Sequence, residues 1–157
     1  PFFMQKARNS NILPITHKDM TRFNISLEDG VEMVLWAIEN AIGGEIFVPK
    51  IPSYRIETVA RAISPSATLE YVGVRPGEKL HEEMITDSDS YNTIEFDRYY
   101  AILPANSRKE EYLKQYRATA VQPGFRYNSG TNEEWVDEEA LRALIREHID
   151  PNFEPCT

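Results

Sequence analysis

The sequence predicts an α/β fold for a chain of 157 residues. Short apolar runs that end at Gly or Pro are typical of strands, and they alternate with amphipathic runs that are typical of helices. Hydrophobic residues make up 41% of the chain and aromatic residues 11%, so it can bury a sizeable core. The order strand, helix, strand between residues 45 and 74 predicts a βαβ-like unit.

The first quarter of the chain predicts a short helix over 2–8, an extended segment over 12–16 and a strand over 20–25. Ser26 is then expected to cap a helix, because its hydroxyl can accept a bond from a first-turn amide. The apolar residues of this helix recur at one-face spacing, and we expect them to lie in the core. They are Val31, Val34, Leu35, Ile38 and Ile42. Gly43-Gly44 ends the helix.

The middle of the chain predicts a buried strand over 45–49 and a second helix that Ser53 caps, with Ile56, Val59, Ala60 and Ile63 on one face. A strand over 69–74, a short helical piece over 80–85, a polar loop over 86–92 and a strand over 99–103 follow. Residues 110–116 are expected to be partly helical. A last helix begins after Asp137, with Leu141, Leu144 and Ile145 inward. Residues 151–157 are expected to form a loose tail.

The composition excludes several classes of function. A net charge of −8 argues against a general nucleic-acid or membrane-surface role. No apolar run approaches the ~20 residues that a membrane-spanning helix needs. The single cysteine, Cys156, fits a reducing, cytoplasmic setting. The three histidines are far apart in sequence and have no cysteine partner, so no metal site is predicted.

The segment from Val74 to His81 is the strongest candidate for a ligand site. It places Arg75, Glu78, Lys79 and His81 around a Pro-Gly turn at the end of a predicted strand. The Arg fork suits phosphate oxygens, and a carboxylate can accept bonds from sugar hydroxyls. A charged, solvated surface turn is the alternative, and the local pattern leaves both open.

Arg22 is the second candidate, because it lies in a mainly apolar stretch where a cation needs a partner. It either contacts a ligand or pairs with a carboxylate at the edge of the core. The adjacent acids Glu82 and Glu83 are interpreted as a solvated helix face. The sequence contains neither a glycine-rich phosphate loop nor a Gly-x-Ser-x-Gly motif, so no catalytic residue is assigned. The apolar opening Pro1 to Met4 carries no capping signal, and we expect the sequence to be part of a longer one.

Taken together, the motifs resemble the C-terminal half of the inverting UDP-N-acetylglucosamine 4,6-dehydratases, in the polysaccharide-biosynthesis branch of the extended short-chain dehydrogenase/reductases. The motifs that carry this resemblance recur in order over nearly the whole chain. They are Pro1-Phe2-Phe3, Pro14-Ile15-Thr16, Met20-Thr21-Arg22-Phe23, the run from Gly43 to Ser53, the run from Arg75 to Glu82, the run from Phe125 to Gly130, and Trp135. Asn24 departs from the pattern, which has an aromatic residue there.

The resemblance implies an α/β, C-terminal, UDP-sugar-binding portion over residues 1–150. The NADP-binding Rossmann half, with its glycine-rich loop and Tyr-x-x-x-Lys pair, is absent from this sequence. Arg75 corresponds to the family Arg that binds the nucleotide diphosphate, and Glu78 to the acid that faces the nucleoside. Arg22 and Thr21 correspond to a segment that lines the substrate site.

The intact protein is then expected to remove water from UDP-N-acetylglucosamine or a similar UDP-sugar, with oxidation at C4, loss of water across C5–C6 and inversion at C5. A role in surface polysaccharide or pseudaminic acid synthesis, homo-oligomers and a cytoplasmic location are also implied. This chain alone is expected to bind no NADP and to be inactive. A UDP-sugar 4-epimerase of the same branch and a non-catalytic nucleotide-sugar-binding or interaction module remain the alternatives.

Overall fold

The computed structural model describes residues 1–105 and 108–156, and it confirms the α/β class. Five α-helices and ten short strands follow one another along the described residues. In order they are α1 Phe2–Ala7, β1 Ile12–Ile15, β2 Thr21–Phe23, α2 Leu27–Asn40, β3 Ile46–Pro49, β4 Ser53–Arg55, α3 Ile56–Ile63, β5 Thr68–Tyr71, β6 Glu83–Ile85, β7 Thr93–Phe96, β8 Tyr99–Ile102, α4 Lys109–Tyr116, β9 Thr119–Ala120, β10 Tyr127–Asn128 and α5 Glu138–His148. A 3-10 helix, Ser88–Asn92, precedes β7.

The described chain divides into two compact units. The first unit contains residues 1–24, 52–82 and those from Ser129 onward, and the second contains 25–51 and 83–128. Each unit is therefore built from separate stretches of the sequence.

The first unit has two pairs of strands. Strands β1 and β5 are parallel, in register from Ile12 opposite Thr68 to Ile15 opposite Tyr71. Strands β2 and β4 are antiparallel, with Arg22 opposite Tyr54. Helix α3 contributes the fully buried Ala60 to a cluster that also holds two β1 side chains, Leu13 and Ile15.

Residues 151–156 are held by contacts within the first unit, whereas the sequence predicts a loose tail over 151–157. The side chain of Phe153 is 4% exposed and packs with Ile63 and Ile145. The Cys156 amide donates to the Ile63 carbonyl at 2.8 Å. An apolar anchor and backbone hydrogen bonds thus hold the described part of this segment, residues 151–156.

The second unit is built around an antiparallel sheet in the order β3-β8-β7-β9. Its core is rich in aromatic rings. Trp36 stacks on Tyr99 with ring centroids 4.5 Å apart, and Phe96 stacks on Tyr116 at 4.8 Å. Such contacts add stabilisation beyond the apolar area that they bury.

Helix α2 begins as predicted, but it packs through a different face. The Asp29 amide donates to the Ser26 hydroxyl at 3.0 Å, which confirms the cap. Met33 and Trp36 are the α2 side chains that pack against the aromatic core. The prediction that the other apolar face lies in the core is wrong, because its side chains are 40–74% exposed; they are Val31, Val34, Leu35, Ile38 and Ile42. The helix carries two apolar faces, and one-face spacing does not indicate which of them packs.

The chain after α2 is held by Glu45 and Tyr116. The Glu45 carboxylate accepts bonds from the Ile42 and Gly43 amides, each at 2.7 Å, and from the Tyr116 hydroxyl at 2.6 Å. Burial alone would raise the pKa of Glu45, but these donors outweigh it and lower that pKa. Burial, followed by the bond to Glu45, raises the pKa of Tyr116. The carboxylate therefore stays charged and the phenol neutral.

Three other predictions are wrong. The βαβ-like unit does not form, since β3 pairs antiparallel with β8 while β5 pairs with β1. Ser53 lies in β4 and does not cap α3, which begins after Arg55. Residues 80–85 are not helical, because Glu83–Ile85 forms β6 and pairs with β10. Strand β8 and helix α5, which begins after Asp137, are as predicted, and the Asp137 side chain accepts the Ala140 amide at the start of the helix.

Candidate functional site

The turn after β5 places Arg75 and Glu78 at its two ends. The Glu78 amide donates to the Arg75 carbonyl at 3.0 Å, and the Arg75 amide lies 3.3 Å from the Glu78 carboxylate, to which it donates. Pro76 precedes Gly77, whose φ of +81° is suited to the third position of a type II turn. The predicted Pro-Gly turn is thus confirmed, and it leaves the Arg75 side chain exposed.

Arg22 reaches from β2 towards the same loop. Its terminal nitrogen donates to the carbonyls of Thr21, at 2.6 Å, and Leu80, at 3.3 Å. Its guanidinium also lies 3.3 Å from the Glu82 carboxylate and 4.0 Å from that of Glu78. Arg22 therefore has carboxylate partners that compensate its charge in a mainly apolar stretch, and one of them, Glu78, is a candidate site residue.

The pairing of Arg22 with acids is accessible to solvent. The side chains of Arg22, Glu78 and Glu82 are 21%, 28% and 43% exposed. An anionic ligand can therefore approach the guanidinium without unfolding the loop. Glu82 was interpreted from sequence as part of a solvated helix face, and this interpretation is wrong, since Glu82 lies before a strand and binds Arg22.

Tyr54 lies opposite Arg22 in the β2–β4 register. Burial raises the pKa of Tyr54, and the positive charge of Arg22 offsets part of that rise. The hydroxyl is thus neutral at physiological pH beside a permanent cation. No sequence pattern indicated Tyr54, because the pairing of the two strands is what brings it there.

Thr21 faces the interior and is 1% exposed. Its hydroxyl lies 2.8 Å from His81 Nδ1 and 2.7 Å from the Ser129 hydroxyl. The structure thus places Arg22 beside Glu78, whereas the Thr21 hydroxyl is bonded to buried or partly buried side chains. His81 belongs to the segment predicted as a ligand site, whereas Ser129 was not predicted as a site residue.

Two other cations, Arg55 and Lys50, have partners outside this loop. Arg55 lies over the Trp135 ring at 5.2 Å from its centroid and 4.0 Å from Asp19. Lys50 belongs to the second unit, where it binds Glu95 at 2.9 Å. Within residues 1–105 and 108–156, no group of three or more His, Cys, Asp or Glu residues is arranged to hold a metal ion. None of the helices in those ranges has the length and hydropathy of a membrane-spanning segment.

The first unit thus presents an exposed guanidinium, a partly buried guanidinium and a carboxylate on one loop and its neighbouring strand. Two Arg side chains can grip phosphate oxygens, and Glu78 can accept hydrogen bonds from hydroxyl groups. The arrangement is suited to binding an anion that carries hydroxyl groups. Nothing in this set of side chains forms a nucleophile–base pair.

Comparison with known proteins gives a consistent result. Residues 1–104 match the model of a family described as polysaccharide biosynthesis protein. The chain is 44% identical, over 92% of its length, to a UDP-N-acetylglucosamine 4,6-dehydratase (inverting) of Campylobacter jejuni subsp. jejuni serotype O:23/36 (strain 81-176). It is 34% identical, over 74% of its length, to a UDP-glucose 4-epimerase of Rickettsia typhi. These matches confirm the resemblance that the motifs carry.

A structural comparison agrees. The fold superposes on the X-ray structure of Pen from Bacillus thuringiensis with a TM-score of 0.75 and 25% identity. The match covers 94% of this chain and 44% of Pen, and the Campylobacter relative is likewise covered over 46% of its length. The chain therefore spans less than half the length of these relatives, which is consistent with the predicted C-terminal portion of an extended short-chain dehydrogenase/reductase.

Proposed function

Because the chain belongs to the polysaccharide biosynthesis protein family, we propose that it forms the UDP-sugar-binding part of a UDP-N-acetylglucosamine 4,6-dehydratase that inverts C5. The 44% identity to the Campylobacter relative carries this proposal. Activity belongs to the intact protein, and this chain supplies the surface that holds the nucleotide sugar.

Three side chains bind the nucleotide in this proposal. Arg75 is exposed and turns its fork to the diphosphate, while Arg22 supplies a second, better fixed cation. Glu78 accepts hydrogen bonds from the ribose hydroxyls. The diphosphate then shares Arg22 with the carboxylates of Glu78 and Glu82, which lie within 4.0 Å of the Arg22 guanidinium.

Thr21 has a different role from the other three predicted residues. At 1% exposure its hydroxyl is bonded to His81 and Ser129, so it holds the strand that carries Arg22. It positions the site and does not contact the ligand.

The residues of this chain do not fit NADP. A dinucleotide pyrophosphate needs a glycine-rich strand-to-helix turn, and the seven glycines here form no Gly-x-Gly-x-x-Gly motif. The proposal therefore assigns NADP to a Rossmann half outside this sequence and gives this chain no part in hydride transfer. Homo-oligomers, a cytoplasmic location and a role in surface polysaccharide or pseudaminic acid synthesis are parts of the same proposal.

A UDP-sugar 4-epimerase is the second candidate, and the 34% identity to the Rickettsia relative favours it. Both enzymes hold the same nucleotide, so the residues that bind it do not distinguish an epimerase from a dehydratase. The product of the reaction distinguishes them.

The test is to incubate the intact protein with NADP and UDP-N-acetylglucosamine and to identify the product by NMR. A 4-keto-6-deoxy sugar with inverted C5 is expected. A 4-epimer without loss of water would favour the epimerase, and calorimetric binding of UDP without turnover would favour a binding module. Failure to bind UDP or UDP-N-acetylglucosamine would refute all three. UMP is the matched control ligand, because it lacks the second phosphate.

A further inference from the structure

A continuous chain of hydrogen bonds joins three distant parts of the first unit. Thr21 on β2 is bonded to His81 Nδ1 at 2.8 Å and to the Ser129 hydroxyl at 2.7 Å. Ser129 in turn accepts the Glu82 amide at 2.9 Å. Thr21 and Ser129 are 1% and 0% exposed, so solvent does not replace these bonds readily.

One direction of these hydrogen bonds gives both hydroxyl protons an acceptor. The Glu82 amide can only donate, so the Ser129 oxygen accepts there and its proton is free for Thr21. The Thr21 proton then goes to His81 Nδ1, which leaves the imidazole proton on Nε2. The Thr21 and Ser129 hydroxyls then each donate one hydrogen bond and accept one, which holds both side chains in place.

Gly130 allows the His81 ring to lie where it does. A Cβ on Gly130 would lie 2.5 Å from His81 Nδ1 and 2.7 Å from both Cε1 and Cγ. The contact is with the body of the ring, so a side chain at this position must displace the imidazole. Glycine is therefore required here by close packing.

The residues on either side of His81, Leu80 and Glu82, carry acceptors for the Arg22 guanidinium. The Leu80 carbonyl accepts the Thr21 amide at 3.0 Å and the Arg22 guanidinium at 3.3 Å. The Ser129 amide donates to the Glu82 carbonyl at 2.8 Å, and the Glu82 carboxylate binds Arg22. The bonds of Ser129 and His81 thus fix residues 80–82 to β2.

We propose that His81, Ser129 and Gly130 are positioning residues that hold Arg22 in the geometry needed to bind a nucleoside diphosphate. The identity of the ligand rests on the proposed function, whereas the positioning of Arg22 does not. Holding the binding groups in place before the ligand arrives lowers the entropic cost of binding. The segment that supplies Ser129 and Gly130 therefore acts on the site although neither residue touches the ligand.

The first test measures UDP affinity by calorimetry in the intact protein. Ser129→Ala and Gly130→Ala are each expected to weaken binding by about tenfold or more, because the loop is no longer held against β2. Ser90→Ala is the matched control, since Ser90 is 1% exposed and accepts the Gly124 amide at 2.9 Å in the second unit. Gly30→Ala is the control for the added methyl group, because a Cβ added at Gly30 would have nothing within 4 Å. Both controls should keep the wild-type affinity.

The second test needs no ligand. The Arg22 Nε–H signal in nitrogen-15 NMR, assigned by its loss in Arg22→Lys, reports whether the guanidinium is held. Ser129→Ala and Gly130→Ala should move this signal towards that of unrestrained arginines, and Ser90→Ala should leave it unchanged. His81→Ala removes the ring that the added Gly130→Ala methyl group would meet, so the double variant should lose little more affinity than His81→Ala alone.

The outcomes separate the two proposals. Wild-type affinity and an unmoved Arg22 signal in Ser129→Ala would overturn the positioning role, even if stability falls as far as in Ser90→Ala. If the wild-type protein binds no UDP, the proposed function fails, and the Arg22 signal alone then supports or overturns the positioning role. Fully additive losses of affinity when His81→Ala and Gly130→Ala are combined would also overturn it.

Discussion

Replacing Arg75 by Ala in the intact protein is expected to weaken UDP binding by about 2–4 kcal/mol, which is roughly 30- to 900-fold in Kd. The lower figure corresponds to one charge-assisted phosphate bond and the upper one to a bidentate grip. Stability should change by less than about 0.5 kcal/mol, because the side chain is exposed and the turn is closed by backbone atoms of Arg75.

Lys79→Ala is the matched control, since Lys79 is an exposed cation in the same loop. Its loss should cost less affinity, because an ammonium lacks the planar fork. The assay is calorimetric titration of both variants with UDP, together with urea unfolding. Equal and negligible losses of affinity in the two variants would show that Arg75 is not part of the site. A large loss of stability in Arg75→Ala would show that its side chain is not an exposed, ligand-binding group.

Arg22→Lys should weaken UDP binding and lower stability, since an ammonium cannot reproduce the contacts with two carbonyls and two carboxylates; unchanged kinetics and melting would show that the fork is not needed. Trp36→Ala should destabilise the chain by about 3 kcal/mol, whereas Ile38→Asn, on the exposed face of the same helix, should change stability by less than about 0.5 kcal/mol, as measured by urea unfolding. The pKa of Glu45 is lower in the folded than in the unfolded protein, so its contribution to stability is present above pH ~4.3 and is lost as the pH falls through the folded pKa. Glu45→Gln should therefore make the melting temperature depend less on pH below pH ~4.3. The 157-residue chain alone is expected to bind no NADP and to form no dehydratase product, and turnover by a monodisperse sample would contradict this.

The sequence by itself determined features that depend on neighbouring residues. Ser26 and Asp137 begin their helices because each side chain meets an amide three residues later. Pro76 and Gly77 set the turn that separates Arg75 from Glu78, because each restricts or permits a particular φ. The ordered motifs likewise indicated the family, which the match over residues 1–104 confirms.

Only the tertiary structure decided features that depend on contacts between distant residues. Helix α2 carries two apolar faces, and the rings of β7, β8 and α4 select the one with Trp36. Residues 83–85 form a strand because β10 offers backbone partners, which a local pattern cannot reveal.

The same holds for the interior of the candidate site. Sequence patterns indicated Thr21 and Arg22, but the two residues bonded to the Thr21 hydroxyl, His81 and Ser129, lie 60 and 108 residues away. Their spacing carries no periodic signal, so the role of Ser129 became apparent only when folding had brought it to the strand. Local sequence patterns therefore indicated Arg22 and Arg75, whereas hydrogen bonds between distant residues determine how Arg22 is held.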